Sequence, residues 1–197
     1  MFDIKKTIRN LYGAWLLVCF NRTGLSFFAN SSTEFWRSFQ AAILCAPIYL
    51  MLLIMRYTHI EVGVPILAAT IIYALSYIIS WFAFPYAMFH GTRIINRQRF
   101  FFRYISAYNW ATALQFSALL AIATIAHNTL IAPVFSGFLT LALIIAIFIY
   151  KGFIAYVSLE IDIRRTIMLV LFDFIIALLF EGWTLRLLQA TPETSVG

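Results

Sequence analysis

The chain has 197 residues, 63% hydrophobic and only 11% charged, with a formal net charge of +6. A soluble domain carries about 25% charged residues, so this chain has too little polar surface to coat a water-soluble particle. Its basic residues are spread over short segments beside apolar runs without a recognition motif, which excludes nucleic acid as a partner.

Residues 1–37 form an N-terminal segment that opens on a helix. Ile4, Ile8, Leu11, Trp15 and Cys19 recur at helical spacing, while Lys5, Lys6, Arg9 and Asn10 face elsewhere. This pattern predicts an amphipathic helix lying in the membrane interface, its basic face toward anionic headgroups, with an ordinary packed helix as the alternative. The apolar run 11–20 is half the roughly 20 residues a span requires. Arg22 and the lack of a small-x-small pattern after that run weigh against a cleaved signal.

Five long apolar runs follow, at 38–55, 64–90, 104–126, 133–158 and 166–184. They are continuous rather than alternating, so they read as spanning helices and not barrel strands. Trp36 is placed as an interfacial anchor. Pro85 predicts a kink or the end of the regular part of the second span, and Pro133 suits a first helical turn. The fold class expected is all-α, a bundle of five transmembrane helices over 38–186, with 187–197 as an external tail.

The loops set direction. Lys5, Lys6, Arg9, Arg22 and Arg37 precede the first span; Arg93, Arg97, Arg99 and Arg103 separate the second from the third; Lys151, Arg164 and Arg165 surround the last connection. Only Arg56 and Arg186 remain for the other side, and 127–132 has no Lys or Arg. The positive-inside rule therefore places the N-terminus in the cytoplasm and the C-terminus outside. Lys5, Lys6, Arg9, Arg93, Arg97, Arg99 and Arg103 are candidate ligands for anionic lipid headgroups, with Phe100 to Phe102 dipping into the acyl boundary. An acidic protein face is the alternative partner for the arginine loop. The sequons at Asn21 and Asn30 fall on the cytoplasmic side and are discarded.

Asp173 lies near the middle of the fifth span, where a carboxylate costs about 2.5–3.5 kcal/mol unless it finds a partner. The connection between spans four and five is centred near Asp162, with Lys151 eleven positions before it and Asp173 eleven after. An antiparallel hairpin brings these two to one depth, as a candidate intramembrane ion pair. Alternatively, Lys151 snorkels to the interface and Asp173 bonds a polar group elsewhere. Thr166, Asp173, Ala177, Glu181 and Thr184 share a face, which admits a further reading as a proton or cation path. Glu181 also has Arg186 close by in sequence. Asn109 and Gln115 are amides at membrane depth, suited to a bundle core or to that path. Ala113, Ser117 and Ala121 form a small-residue ridge for close helix approach.

No catalytic, phosphate-binding or metal-ligand motif is present, His59, His90 and His127 are scattered, and Cys19 and Cys45 read as free thiols. No enzyme activity, cofactor or metal is expected. The segments FWRSF with the following AAILCAPIYL (35–50), AYNWATALQ (107–115), and Lys151-Gly152-Phe153-Ile154 through to Asp173 resemble the small alphaproteobacterial membrane proteins grouped with the Yip domain family. The resemblance spans most of the chain through diffuse motifs. It implies a five-helix protein of the bacterial inner membrane, N-terminus cytoplasmic and C-terminus periplasmic. Eukaryotic members are associated with vesicle membranes and Rab-type GTPases. That role is not carried over, because a long soluble N-terminal region is lacking here and bacteria lack that machinery. The expected function is a non-enzymatic accessory or membrane-organising subunit with a membrane-protein partner or a second copy of itself. The alternative is a small transporter or channel using Asp173 and Glu181.

Overall fold

A computed structural model describes residues 3–57, 63–127 and 133–189, and every regular element in them is helical. The expected loop residues 128–132, His59 and the tail beyond Gln189 lie outside the described residues. The elements are α1 (Ile4–Val18), a 3-10 turn (Arg22–Phe27), α2 (Ser32–Ser38), α3 (Gln40–Tyr57), α4 (Ile66–Ile94), a second 3-10 turn (Gln98–Phe100), α5 (Phe101–His127), α6 (Pro133–Leu159) and α7 (Ile163–Gln189).

Among the described residues, four helical stretches are long and apolar enough to cross a membrane: Ser32–Met55, Ile66–Ile94, Gln98–Ala126 and Val134–Leu159. The first joins α2 to α3, so it starts earlier than the apolar run itself. At 27 residues α7 is as long as α5 and α6, but it carries Asp173 and Glu181 within its apolar stretch and arginines near both ends. Pro85 does not end its helix; α4 runs on to Ile94, and α3 likewise contains Pro47. A proline removes one N–H from the ladder, and a long apolar helix retains the remaining bonds.

Helix starts are marked by side-chain caps. Asp3 accepts from the Lys6 N–H at 3.3 Å, and Ser31 accepts from the Glu34 N–H at 3.3 Å, in the spacing of a capping box. Asp162 accepts from the Arg165 N–H at 3.4 Å at the head of α7.

The core is built around α5, which packs against α1, α2, α3, α4 and α6, while α7 packs on α4 and α6. Ile105, Ala107, Trp110 and Ala111 of α5 are buried, and the alanines let neighbouring backbones come close. Burial on α5 is concentrated in its first half. Of the expected small-residue ridge, Ala113 is buried but Ser117 and Ala121 are exposed. A small second core of Ala69, Tyr73 and Leu188 joins α4 to the end of α7. Large apolar side chains on α3, α4, α6 and α7 point outward. Such an exterior is tolerated in lipid and not in water, consistent with a multi-pass membrane protein.

Helix α1 has three faces. Thr7, Asn10, Gly13, Ala14 and Leu17 are buried against the bundle, Lys5 and Arg9 are exposed, and so are Ile4, Ile8, Tyr12 and Trp15. The Tyr150 hydroxyl donates to the Ala14 carbonyl at 2.8 Å, tying α6 to α1.

Candidate functional site

Three residues close into one cluster where α5, α6 and α7 meet. The turn between α6 and α7 is only three residues long, with Glu160 at φ 52° and Asp162 capping α7. So short a connection fixes the hairpin register. Lys151 lies eight residues before the end of α6 and Asp173 ten residues into α7, about 12 and 15 Å from the turn at 1.5 Å per residue. Lys151 Nζ lies 2.5 Å from Asp173 Oδ2. The second carboxylate oxygen, Oδ1, accepts from the Tyr108 hydroxyl at 2.7 Å. The ammonium also lies 3.3 Å from that hydroxyl oxygen and 5.1 Å from the Tyr108 ring centroid. The Lys151 and Asp173 side chains are 17% and 7% exposed. Charge-assisted hydrogen bonds of this kind gain strength in a low dielectric.

The cluster borders a cavity of about 310 Å³ between α4, α5, α6 and α7, walled by aromatic groups including Trp81, Phe84, Phe116 and Phe180. Gln115 lines this cavity and also a groove on the α1 side, and its buried Nε2 has no hydrogen-bond partner among the described residues. Asn109 also lines the cavity, but its Nδ2 donates to Ser38 Oγ at 2.8 Å and so ties α5 to α2. Glu181 is exposed and does not line the cavity. Of the face proposed on α7, Thr166, Asp173 and Thr184 are buried. Thr166 donates to the Asp162 carbonyl at 3.0 Å and Thr184 to Ser76 Oγ of α4 at 2.9 Å. The structure therefore brings Lys151 and Asp173 together, sets Asn109 and Gln115 around the same cavity, and leaves Glu181 outside it.

The candidate headgroup ligands divide. Lys5 and Arg9 are exposed on α1, and Arg9 lies 3.9 Å from Glu34. Lys6 is half-buried and lines a cleft of about 580 Å³ with Glu34 and Arg37. Arg93 covers the Phe89 ring at 4.3 Å, and Arg99 covers the Phe100 ring at 4.5 Å. The Arg97 Nε is buried without a hydrogen-bond partner among the described residues. Arg103 faces protein: it donates to the Ser158 carbonyl at 2.9 Å, reaches Glu160 at 3.6 Å and lies over Phe100. Asn30 binds the Arg103 N–H at 3.1 Å and donates to the Arg99 carbonyl.

Tyr108 is the member of the cluster that sequence reasoning missed. It precedes Asn109 within the 107–115 segment, and its distance from the start of α5 matches the depth of Lys151. That match was the available signal. No protein-family model, no curated protein and no solved structure matches this chain.

Proposed function

We propose that the chain is a five-span inner-membrane protein of the Yip-like kind, N-terminus cytoplasmic and C-terminus periplasmic, acting as a non-enzymatic accessory or membrane-organising subunit. In this reading α7 is the fifth span, α1 lies at the cytoplasmic leaflet with its basic face toward anionic headgroups, and partners pack against the outer half of the bundle. The carrying observation is the closed Lys151–Tyr108–Asp173 cluster. Both carboxylate oxygens are engaged by protein donors, so the charge at depth fastens three helices together instead of standing open to a cargo. The ridge residues Ser117 and Ala121, exposed on α5, suit close approach by another helix.

The test is isolation in mild detergent together with the charge-exchange variant. A defined protein partner or self-complex should copurify, and Lys151→Asp with Asp173→Lys should restore the abundance and association that each single change lowers. Failure of that rescue would refute the fastening role. The transport alternative draws on the cavity beside Asp173; it requires Asp173→Asn to fold normally while abolishing cation- or pH-dependent flux in proteoliposomes.

A further inference from the structure

We propose that residues 4–28 form a re-entrant hairpin that enters the hydrocarbon from the cytoplasmic side and contacts acyl chains of that leaflet, instead of lying flat among headgroups. The inference rests on the five-span reading, which puts the cytoplasmic edge of the hydrocarbon near Tyr104 of α5 and Ser158 of α6.

Depth follows from what the hairpin touches. Trp15, Val18 and Phe20 share a groove of about 350 Å³ with Leu114 and Ala118 of α5 and Ala146 of α6. Leu114 lies ten residues inside Tyr104, and Ala146 twelve inside Ser158. At 1.5 Å per residue that far wall of the groove is about 15–18 Å deep. Tyr150, bonded to Ala14, and Phe153, packed on Phe20, are about 12 and 8 Å deep, so the hairpin reaches roughly a third of the way into a core about 30 Å thick. A helix lying flat would meet only the ends of α5 and α6. The fifteen residues of α1 extend about 22 Å, enough to run from headgroups to that depth at a slant.

The return path is equally marked. The Phe20 ring packs on Phe153 at 5.1 Å, and the Arg22 guanidinium lies over Tyr156 at 5.6 Å, nearer the end of α6. By Asn30 the chain is bonded to Arg99 and Arg103, in the expected cytoplasmic loop. Arg9 beside Glu34 holds the other limb near that level.

The tip is built to reverse. Asn21 N–H donates to the Leu16 carbonyl at 2.9 Å and Phe20 N–H to Leu17 at 3.0 Å, a Schellman closure with Phe20 at φ 56° where glycine is usual. Only a gain elsewhere sustains a bulky residue in that region, and the contact with Phe153 supplies it. Below the tip the two limbs meet backbone to backbone: a Cβ on Gly24 would stand 2.5 Å from the Gly13 carbonyl oxygen. The outward face of α1 beyond Arg9, with Tyr12 and Trp15, then meets acyl chains, while Lys5, Arg9 and Arg22 meet phosphate near the surface.

Cys19 is exposed at the tip and Cys45 is buried, so Cys45→Ala leaves one native site for a nitroxide label. In proteoliposomes containing an anionic phospholipid, electron paramagnetic resonance would compare access of oxygen and of a water-soluble nickel chelate to Cys19. Two references, Ile79→Cys on the exposed middle of α4 and Gln98→Cys in the arginine loop, are made with Cys19→Ser and Cys45→Ala. The oxygen-to-nickel ratio at Cys19 should exceed that of Gln98→Cys severalfold and approach that of Ile79→Cys. A Cys19 ratio equal to that of Gln98→Cys would overturn the hairpin while leaving the spans intact. Nickel access at Ile79→Cys would overturn the span reading, and the hairpin with it.

Discussion

Removing one member of the buried charge cluster should cost far more than removing both charges. In Asp173→Leu, Lys151 keeps, among the described residues, only the Tyr108 hydroxyl within hydrogen-bonding distance, in a site where its side chain is 17% exposed. Breaking a buried pair from one side costs about 3–5 kcal/mol. Lys151 lies about 12 Å from the end of α6, too far for its stem to reach the interface, but partial snorkelling still relieves some of that cost, so the lower part of the range is expected. Lys151→Met leaves Asp173 with Tyr108 alone and should cost a similar amount. The double variant Lys151→Met with Asp173→Leu leaves no charge unpaired. Its cost should fall to about 1–3 kcal/mol, the penalty for the stranded Tyr108 hydroxyl. The implied coupling is about 3 kcal/mol or more, at the top of the range for residues in contact. Reversible unfolding of the four proteins in mixed micelles, followed by circular dichroism, measures all the terms. A double variant whose cost equals the sum of the two singles would refute the argument, as would single variants within about 0.5 kcal/mol of the parent.

Tyr108→Phe removes the donor to Asp173 Oδ1 and should destabilise by about 1–3 kcal/mol, with the loss shrinking once Asp173 is also replaced; the same unfolding assay reads it. Gly24→Ala places a methyl group against the Gly13 carbonyl and should force the hairpin limbs apart, seen as faster maleimide labelling of Cys19. Asn30→Ala removes the bonds to Arg99 and Arg103, each worth about 1 kcal/mol, and should speed amide exchange across residues 97–103 without changing α6. Arg103→Gln should loosen α5 from the α6–α7 turn, because the Ser158 and Glu160 contacts use one guanidinium; unchanged amide exchange at 158–162 would contradict this.

What could be read in the sequence depended on how tightly the chain constrained itself. The depth match of Lys151 and Asp173 could be written down because a three-residue turn separates their helices, so residue counting measures depth. Tyr108 lies on a helix joined to α6 only at the far end, where counting errors accumulate over two long helices. The helical character of the apolar runs was legible from their length. The standing of α7 was less so, since Asp173, Glu181 and its arginines dilute the apolar signal. Helix α1 was harder for a different reason. Hydrophobic periodicity finds the apolar side of a helix, but in lipid the side that packs on protein is often the one with small and polar residues. Here that side is Thr7, Asn10, Gly13 and Ala14, which a hydrophobic pattern does not single out. The exposed Ser117 and Ala121 are the converse, small residues that the chain itself does not cover.

The bond from Tyr150 to Ala14 joins residues 136 positions apart, and that separation also sets an order of assembly. Synthesis at about 5–20 residues per second puts Tyr150 on the scene roughly 7–27 s after Ala14. Until α5 and α6 have entered the bilayer, the face of α1 that carries Thr7 and Asn10 has nothing to dock on. A basic, apolar-sided helix can wait at the membrane surface during that interval, so the same residues serve two successive addresses. Helix α1 is made well before the helices it docks on, so its docking belongs to a late stage of assembly.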